Sequence, residues 1–167
     1  TYYSVFSLWD TFRAAHPLYT IIEQDRTNDF INTFLNKYDE GGIMPIWDLA
    51  ANYTDCMIGY HAVPVIADAY LKGLRDYDVE KAFTAMKHSA NQDKLGLESY
   101  KSLGYIPVEF ESESVSKTLE YAYDDWTIYK MALDMGEKEV AQNFLKRAQS
   151  YKNIYDPSSG FMRSHLN

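Results

Sequence analysis

The sequence predicts an all-α chain of three helical hairpins, and three observations carry that reading. Apolar residues recur at three- and four-residue spacing through most of the chain, whereas strand-like alternation is scarce. Gly41–Gly42, Gly73 and Gly136 close successive periodic segments. The segments also alternate in character. The second, fourth and sixth carry one apolar stripe, as helices with a wet face do, while the first, third and fifth carry apolar residues or rings on several faces. Inner and outer layers follow, as in half of a double-layered helical toroid. An ordinary helical bundle would share the periodicity with less alternation.

The first helix is expected from about Tyr2 to Ala15, ending before His16–Pro17. The second runs from about Thr27 to Tyr38, with Phe30, Ile31, Phe34, Leu35 and Tyr38 as its stripe. Ile43 to Tyr53 reads as a loop. The third helix is expected from about Asp55, as N-cap, to Lys72. Pro64 lies inside it, and a proline there should displace the Tyr60 carbonyl and kink the helix. The fourth, Val79 to Ser89, has Val79, Ala82, Phe83 and Met86 on one side. Asn91 to Glu113 is a long connection, with a helical turn near Leu97–Leu103 and an extended piece at Tyr105–Phe110; connections this long are often functional. The fifth, Val115 to Asp134, has an expected core stripe of Val115, Leu119, Ala122, Trp126, Tyr129 and Leu133. The sixth covers about Lys138 to Tyr151.

Length and composition narrow the function. A chain of 167 residues suits one compact domain, and 46% hydrophobic with 24% charged residues is ordinary for a globular protein. A net charge of -8 repels phosphate backbones, so a nucleic-acid partner is not expected. The longest apolar run, Cys56–Ala67, is too short to span a bilayer, so no membrane insertion is expected. The single Cys56 has no internal disulfide partner. Asn52–Tyr53–Thr54 matches a glycosylation sequon, a weak signal. The chain starts at Thr1 in an amphipathic segment and stops just past a turn, so it reads as an excerpt of a longer protein.

Three clusters draw attention. Glu120–Tyr121–Ala122–Tyr123–Asp124–Asp125–Trp126 sets acids among rings, which suits sugars, whose hydroxyls need acceptors and whose C–H faces need flat apolar partners. Asp124 and Asp125 border packed surface, where they need partners from neighbouring helices or from a ligand. Trp9, Asp10 and Arg13 lie within one helical turn. They read as a sugar platform with a hydroxyl acceptor, or as a core Trp beside a local ion pair. Tyr60 and His61 sit before Pro64, where His61 reads as a pocket residue or a satisfied core histidine. His16, His61, His88 and His165 are scattered outside zinc spacing, and the chain has neither a phosphate loop nor a nucleophile elbow.

The segments Phe6–Pro17 (FSLWDTFRAAHP), Gly41–Trp47 (GGIMPIW), Cys56–Tyr70 (CMIGYHAVPVIADAY) and Ser114–Trp126 (SVSKTLEYAYDDW), with Tyr151–Asn153, Asp156–Pro157 and Gly160–Arg163 (GFMR), resemble glycoside hydrolase family 92. The resemblance spans essentially the whole chain. It implies an exo-acting, inverting, calcium-dependent α-mannosidase acting on mannose-containing glycans, N-glycans among them. It implies a bacterial protein, secreted, periplasmic or at the cell surface. The implied fold is an (α/α)6 toroid packed on a β-sandwich domain, of which residues 1–167 would supply about half the ring. The other toroid helices and the sandwich would be its partners. The catalytic acid, the base and most calcium ligands are expected after Gly160–Arg163, beyond residue 167, so no catalytic residue is assigned here. The expected substrate-binding wall is Trp9, Asp10, Tyr60 and His61, with Arg13, Asp124, Asp125 and Trp126 as support. A non-catalytic helical carbohydrate-binding or scaffold module is the alternative.

Overall fold

In a computed structural model that describes residues 1–50 and 52–167, the chain is mainly helical. In order come α1 (Leu8–Thr11), α2 (Ala15–Ile22), α3 (Gln24–Gly41), β1 (Asp48–Leu49), β2 (Asn52–Tyr53), α4 (Ala62–Leu71), α5 (Val79–Asn91), α6 (Leu97–Leu103), α7 (Ser114–Met135) and α8 (Lys138–Arg147). A 3-10 turn, Ser150–Ile154, leads into β3 (Tyr155–Asp156) and β4 (Phe161–Met162). Each two-residue strand pair is antiparallel, with Asp48 opposite Tyr53 and Tyr155 opposite Met162.

The helices form two layers. On the inside α4 touches both α2 and α7, and α3, α5 and α8 pack outside them. α4 is the innermost, since every residue from Ala62 to Tyr70 except Asp68 is buried. Apolar all-round sequence thus became an all-round buried helix, as the alternation predicted. α3 places Ile31, Phe34 and Leu35 against this core. Phe34 is fully buried and meets the Phe6 ring edge-on at 4.8 Å.

The helix starts are where the structure departs from expectation, and one cause explains both cases. Pro17 and Pro64 each occupy the third position of a helix, α2 and α4. The first four amides of a helix have no intrahelical partner, so a proline there removes nothing. Pro17 therefore does not end a helix, and Pro64 does not kink one. The expected first helix is instead a lead-in strand-like segment plus α1. Leu8 N–H donates to the Ile46 carbonyl and Asp48 N–H to Phe6, which holds residues 6–8 against the chain before β1.

The expected third helix loses its first turns for a related reason. Asp55, Met57 and Gly59 all have positive φ, and the Tyr60 amide is taken by a carboxylate of α7 rather than by a helical carbonyl. The loop expected at Ile43–Tyr53 contains the β1–β2 pair, and residue 51 within it lies outside the described residues. The expected extended piece at Tyr105–Phe110 ends in a turn at residues 108–110 and forms no strand, and α6 occupies Leu97–Leu103 as expected.

The face of α7 is rotated from its expected stripe. Its buried residues include Thr118, Tyr121, Asp124, Asp125, Ile128 and Met131; of the expected stripe Ala122 is buried and Tyr129 packs on the core, while Trp126 and Leu133 are 44% and 51% exposed. Exposed apolar side chains also run along α2 at Leu18, Ile21 and Ile22. Among the described residues no helix is long and apolar enough to cross a membrane.

Phe34→Ala is expected to lower the unfolding free energy by about 3–5 kcal/mol, because a ring removed from the fully enclosed α3–Phe6 contact leaves a cavity. Urea denaturation, read as a lower midpoint at unchanged slope, checks it.

Candidate functional site

The two adjacent acids of α7 face opposite neighbours. Asp124, fully buried, accepts the Tyr60 backbone N–H at 2.8 Å on one oxygen and meets His61 Nδ1 at 2.7 Å with the other. It thereby holds the loop that leads into α4. Asp125, also fully buried, accepts the Tyr60 hydroxyl at 2.7 Å, the Tyr100 hydroxyl at 2.9 Å and Arg147 Nε at 2.9 Å. Arg147 continues to the Ala90 carbonyl and Asn91 Oδ1, so Asp125 ties α7 to α6, α8 and the end of α5. Burial pushes both carboxyls up, Asp124 against its His61 contact and Asp125 to about 6 against the opposing pull of Arg147 and both tyrosines. Burial and the Asp125 charge likewise raise the Tyr60 and Tyr100 hydroxyls, which stay protonated as donors.

A second cluster sits where α1 meets α7. Trp9 Nε1–H donates to Glu120 Oε1 at 3.3 Å, and Arg13 pairs with the same oxygen. Glu120 Oε2 lies 3.4 Å from His61 Nε2. The His61 imidazole stacks on Phe12 with centroids 3.9 Å apart, and the Arg13 guanidinium covers the Phe12 ring at 4.5 Å. Gly59 makes room for this stack: a Cβ there would lie 2.2 Å from His61 Nε2. Asp10 stands apart, exposed, and among the described residues accepts only the Ser7 hydroxyl.

The structure brings Trp9, Arg13, His61 and Asp124 into one continuous cluster, and joins Asp125 to it through Tyr60. Tyr60 is a strut whose amide goes to Asp124 and whose hydroxyl goes to Asp125. Trp126 stands outside the cluster. It stacks on Tyr123 at 6.2 Å and lines an open groove of about 420 Å³ with Leu119 and Tyr151. Sequence reasoning passed over Glu120 as a site residue, although it joins Trp9, Arg13 and His61. Its spacing held the signal, since Glu120 and Asp124 are four apart and so share a helix face. Phe12, the ring between His61 and Arg13, was missed as well.

Comparison with known proteins places these features in a family. The model of the glycosyl hydrolase family 92 catalytic domain matches residues 1–167. The family GH92 alpha-mannosidase BT3965 from Bacteroides thetaiotaomicron, solved in complex with mannoimidazole, superposes with TM-score 0.96 at 44% identity over 99% of this chain. The family GH92 inverting mannosidase BT2199 from the same organism superposes at TM-score 0.89 and 38% identity over 96% of this chain. A protein of Arthroderma benhamiae named an uncharacterized secreted glycosidase is 26% identical over 144 residues, 76% of this chain. The chain spans only part of each, 22% and 23% of the two solved chains and 18% of the fungal protein.

Asp125→Ala is expected to cost about 3–5 kcal/mol, because it strands the Arg147 guanidinium and two hydroxyls in the interior. Asp125→Asn tests the titration. A carboxyl raised from 3.8 to about 6 on folding stabilises fully below pH 3.8, and that contribution is lost as pH rises through about 6. Thermal melting across pH should show the wild type losing ground to Asp125→Asn over that interval, and a constant difference above it.

Proposed function

The chain belongs to glycosyl hydrolase family 92, and from that membership we propose that its parent protein is an exo-acting, inverting, calcium-dependent α-mannosidase. Its substrates are α-mannosidic bonds in mannose-containing glycans, N-glycans included. The supporting observation is a whole-chain match to the family together with close superposition on two mannosidases at 38% and 44% identity. In this reading residues 1–167 form about half of the (α/α)6 ring, and the remaining helices and a β-sandwich domain complete the parent. A bacterial protein that is secreted, periplasmic or at the cell surface fits the bacterial source of the solved relatives and the name of the fungal one. No observation favours a stand-alone binding module.

The chain's own share of the chemistry is substrate positioning. The Trp9 ring offers a flat apolar face and Asp10 an exposed acceptor on the same helical turn. An inverting hydrolase needs an acid and a base roughly 6.5–9.5 Å apart, astride the bond. Asp124 and Asp125 do not serve, because each is enclosed and satisfied by protein donors. Calcium takes six to eight oxygen ligands. Among the described residues no three His, Cys, Asp or Glu side chains converge as a metal site. The described residues therefore offer no carboxylate cluster for such an ion, and in this reading the ion and the acid–base pair belong to segments outside the chain.

Two outcomes are expected. In the full-length parent, Asp10→Ala lowers turnover of a chromogenic α-mannoside by about 100-fold while its melting temperature holds, as loss of a substrate-orienting contact does. Residues 1–167 alone turn over none of that substrate. Calcium-dependent hydrolysis by the isolated segment would place catalytic groups within it.

A further inference from the structure

We infer that Glu120 is a positioning residue that sets the substrate-facing pose of Trp9 and Asp10, an inference that rests on the mannosidase reading. α1 is a single four-residue turn without a side-chain cap. So short a helix has no stability of its own, and tertiary contacts decide its direction. Leu8, fully buried, pins one side of the turn. Trp9 in the turn and Arg13 just after it converge on one atom, Glu120 Oε1: the indole N–H at 3.3 Å and the guanidinium. Arg13 also lies over the Trp9 ring, 5.5 Å from its centroid. Trp9 is thus held at its edge by Glu120 and across its face by Arg13. Asp10 sits between them in sequence and moves with them.

Glu120 makes a good anchor because it is itself backed by a fixed group. Its second oxygen faces His61 Nε2 at 3.4 Å, a fully buried nitrogen with no hydrogen-bond partner among the described residues. His61 is held by Asp124 at 2.7 Å and by the Phe12 ring at 3.9 Å, and Gly59 closes in from the third side. Asp124, His61 and Glu120 form a line from the core to α1. Both Glu120 oxygens face protein groups, and its side chain is 16% exposed, so it acts on substrate through Trp9 and Asp10 rather than by contact.

Glu120→Gln separates positioning from proton transfer. Gln keeps an acceptor for Trp9 and Arg13 and turns an N–H toward His61. In the full-length parent, Glu120→Gln should stay within about 5-fold of wild-type kcat/KM on an α-mannoside. Glu120→Ala should fall by about 100-fold, the scale of a misplacement near 1 Å. Arg13→Gln, at a half-exposed site that folding tolerates, should fall by about 10-fold at an unchanged melting temperature. Wild-type kinetics in Glu120→Ala, or in Arg13→Gln should Glu120→Ala fail to fold, overturn the inference. So does a Glu120→Gln variant as inactive as Glu120→Ala. A crystal structure of Glu120→Ala, or of Arg13→Gln in the same case, provides a readout independent of activity. A displaced Trp9 ring supports the inference, and an unmoved one overturns it. A wild-type parent inert on every α-mannoside sinks the mannosidase reading alone, since the displaced ring still reports the anchor.

Discussion

The fold hangs on two neighbouring carboxylates of α7. A helix turns about 100° per residue, so adjacent side chains point to different neighbours. Asp124 reaches the loop before α4, and Asp125 reaches α6 and α8. One peptide unit of α7 thereby sets the inner helix α4 relative to the outer helix α8. Tyr60 spans both acids, giving its amide to one and its hydroxyl to the other. The desolvation cost of two buried carboxylates is offset because each meets at least two donors.

The demands of Asp124 propagate outward. For its carboxylate to take the Tyr60 amide, the chain before α4 must leave helical geometry, and the positive φ values at Asp55, Met57 and Gly59 accomplish this. Non-glycine residues at positive φ carry strain, tolerated where the surroundings over-determine the conformation. Gly59 alone could not be replaced by a larger residue without striking the imidazole. His61, fixed in this way, supports Phe12 by stacking and sets its far nitrogen 3.4 Å from Glu120. The surface at Trp9 and Arg13 is thus the outer end of a constraint that begins in the core.

Periodicity revealed most of the fold and less of the site. α3, α5, α6 and α7 lie close to their expected limits because their apolar residues repeat at helical spacing between clear stops. The errors at Pro17 and Pro64 share one origin. A proline looks the same in sequence whether it interrupts a helix or begins one, and only where the helical amide ladder starts tells them apart. The rotated face of α7 has a different cause. Asp124 and Asp125 read as flank residues by hydrophobicity, yet their partners Arg147, Tyr100 and His61 lie far away in sequence and turn that flank into the buried side. Trp126 and Leu133 are correspondingly on the open side. The spacing of Glu120 and Asp124 marked a shared helix face, but the three partners of Glu120 come from two distant segments, so its place as their junction has no local mark.

Acceptor capacity distinguishes support from recognition in this cluster. A carboxylate offers about four lone-pair sites, and a sugar hydroxyl needs one that protein donors have left open. Asp125 receives three donors in an enclosed space, and Asp124 receives two with no solvent path. Glu120 is flanked by Trp9, Arg13 and His61. Among the described residues Asp10 receives the Ser7 hydroxyl alone, and it faces outward. Acceptor access in the cluster therefore grades from enclosed in the core to open at α1. An exposed carboxylate with spare acceptors beside a fixed indole suits a sugar; the same carboxylate on an unanchored turn would have to be ordered at each binding event, at a cost in conformational entropy. The buried acids Asp124 and Asp125 meet no ligand themselves, yet they give the open one its direction.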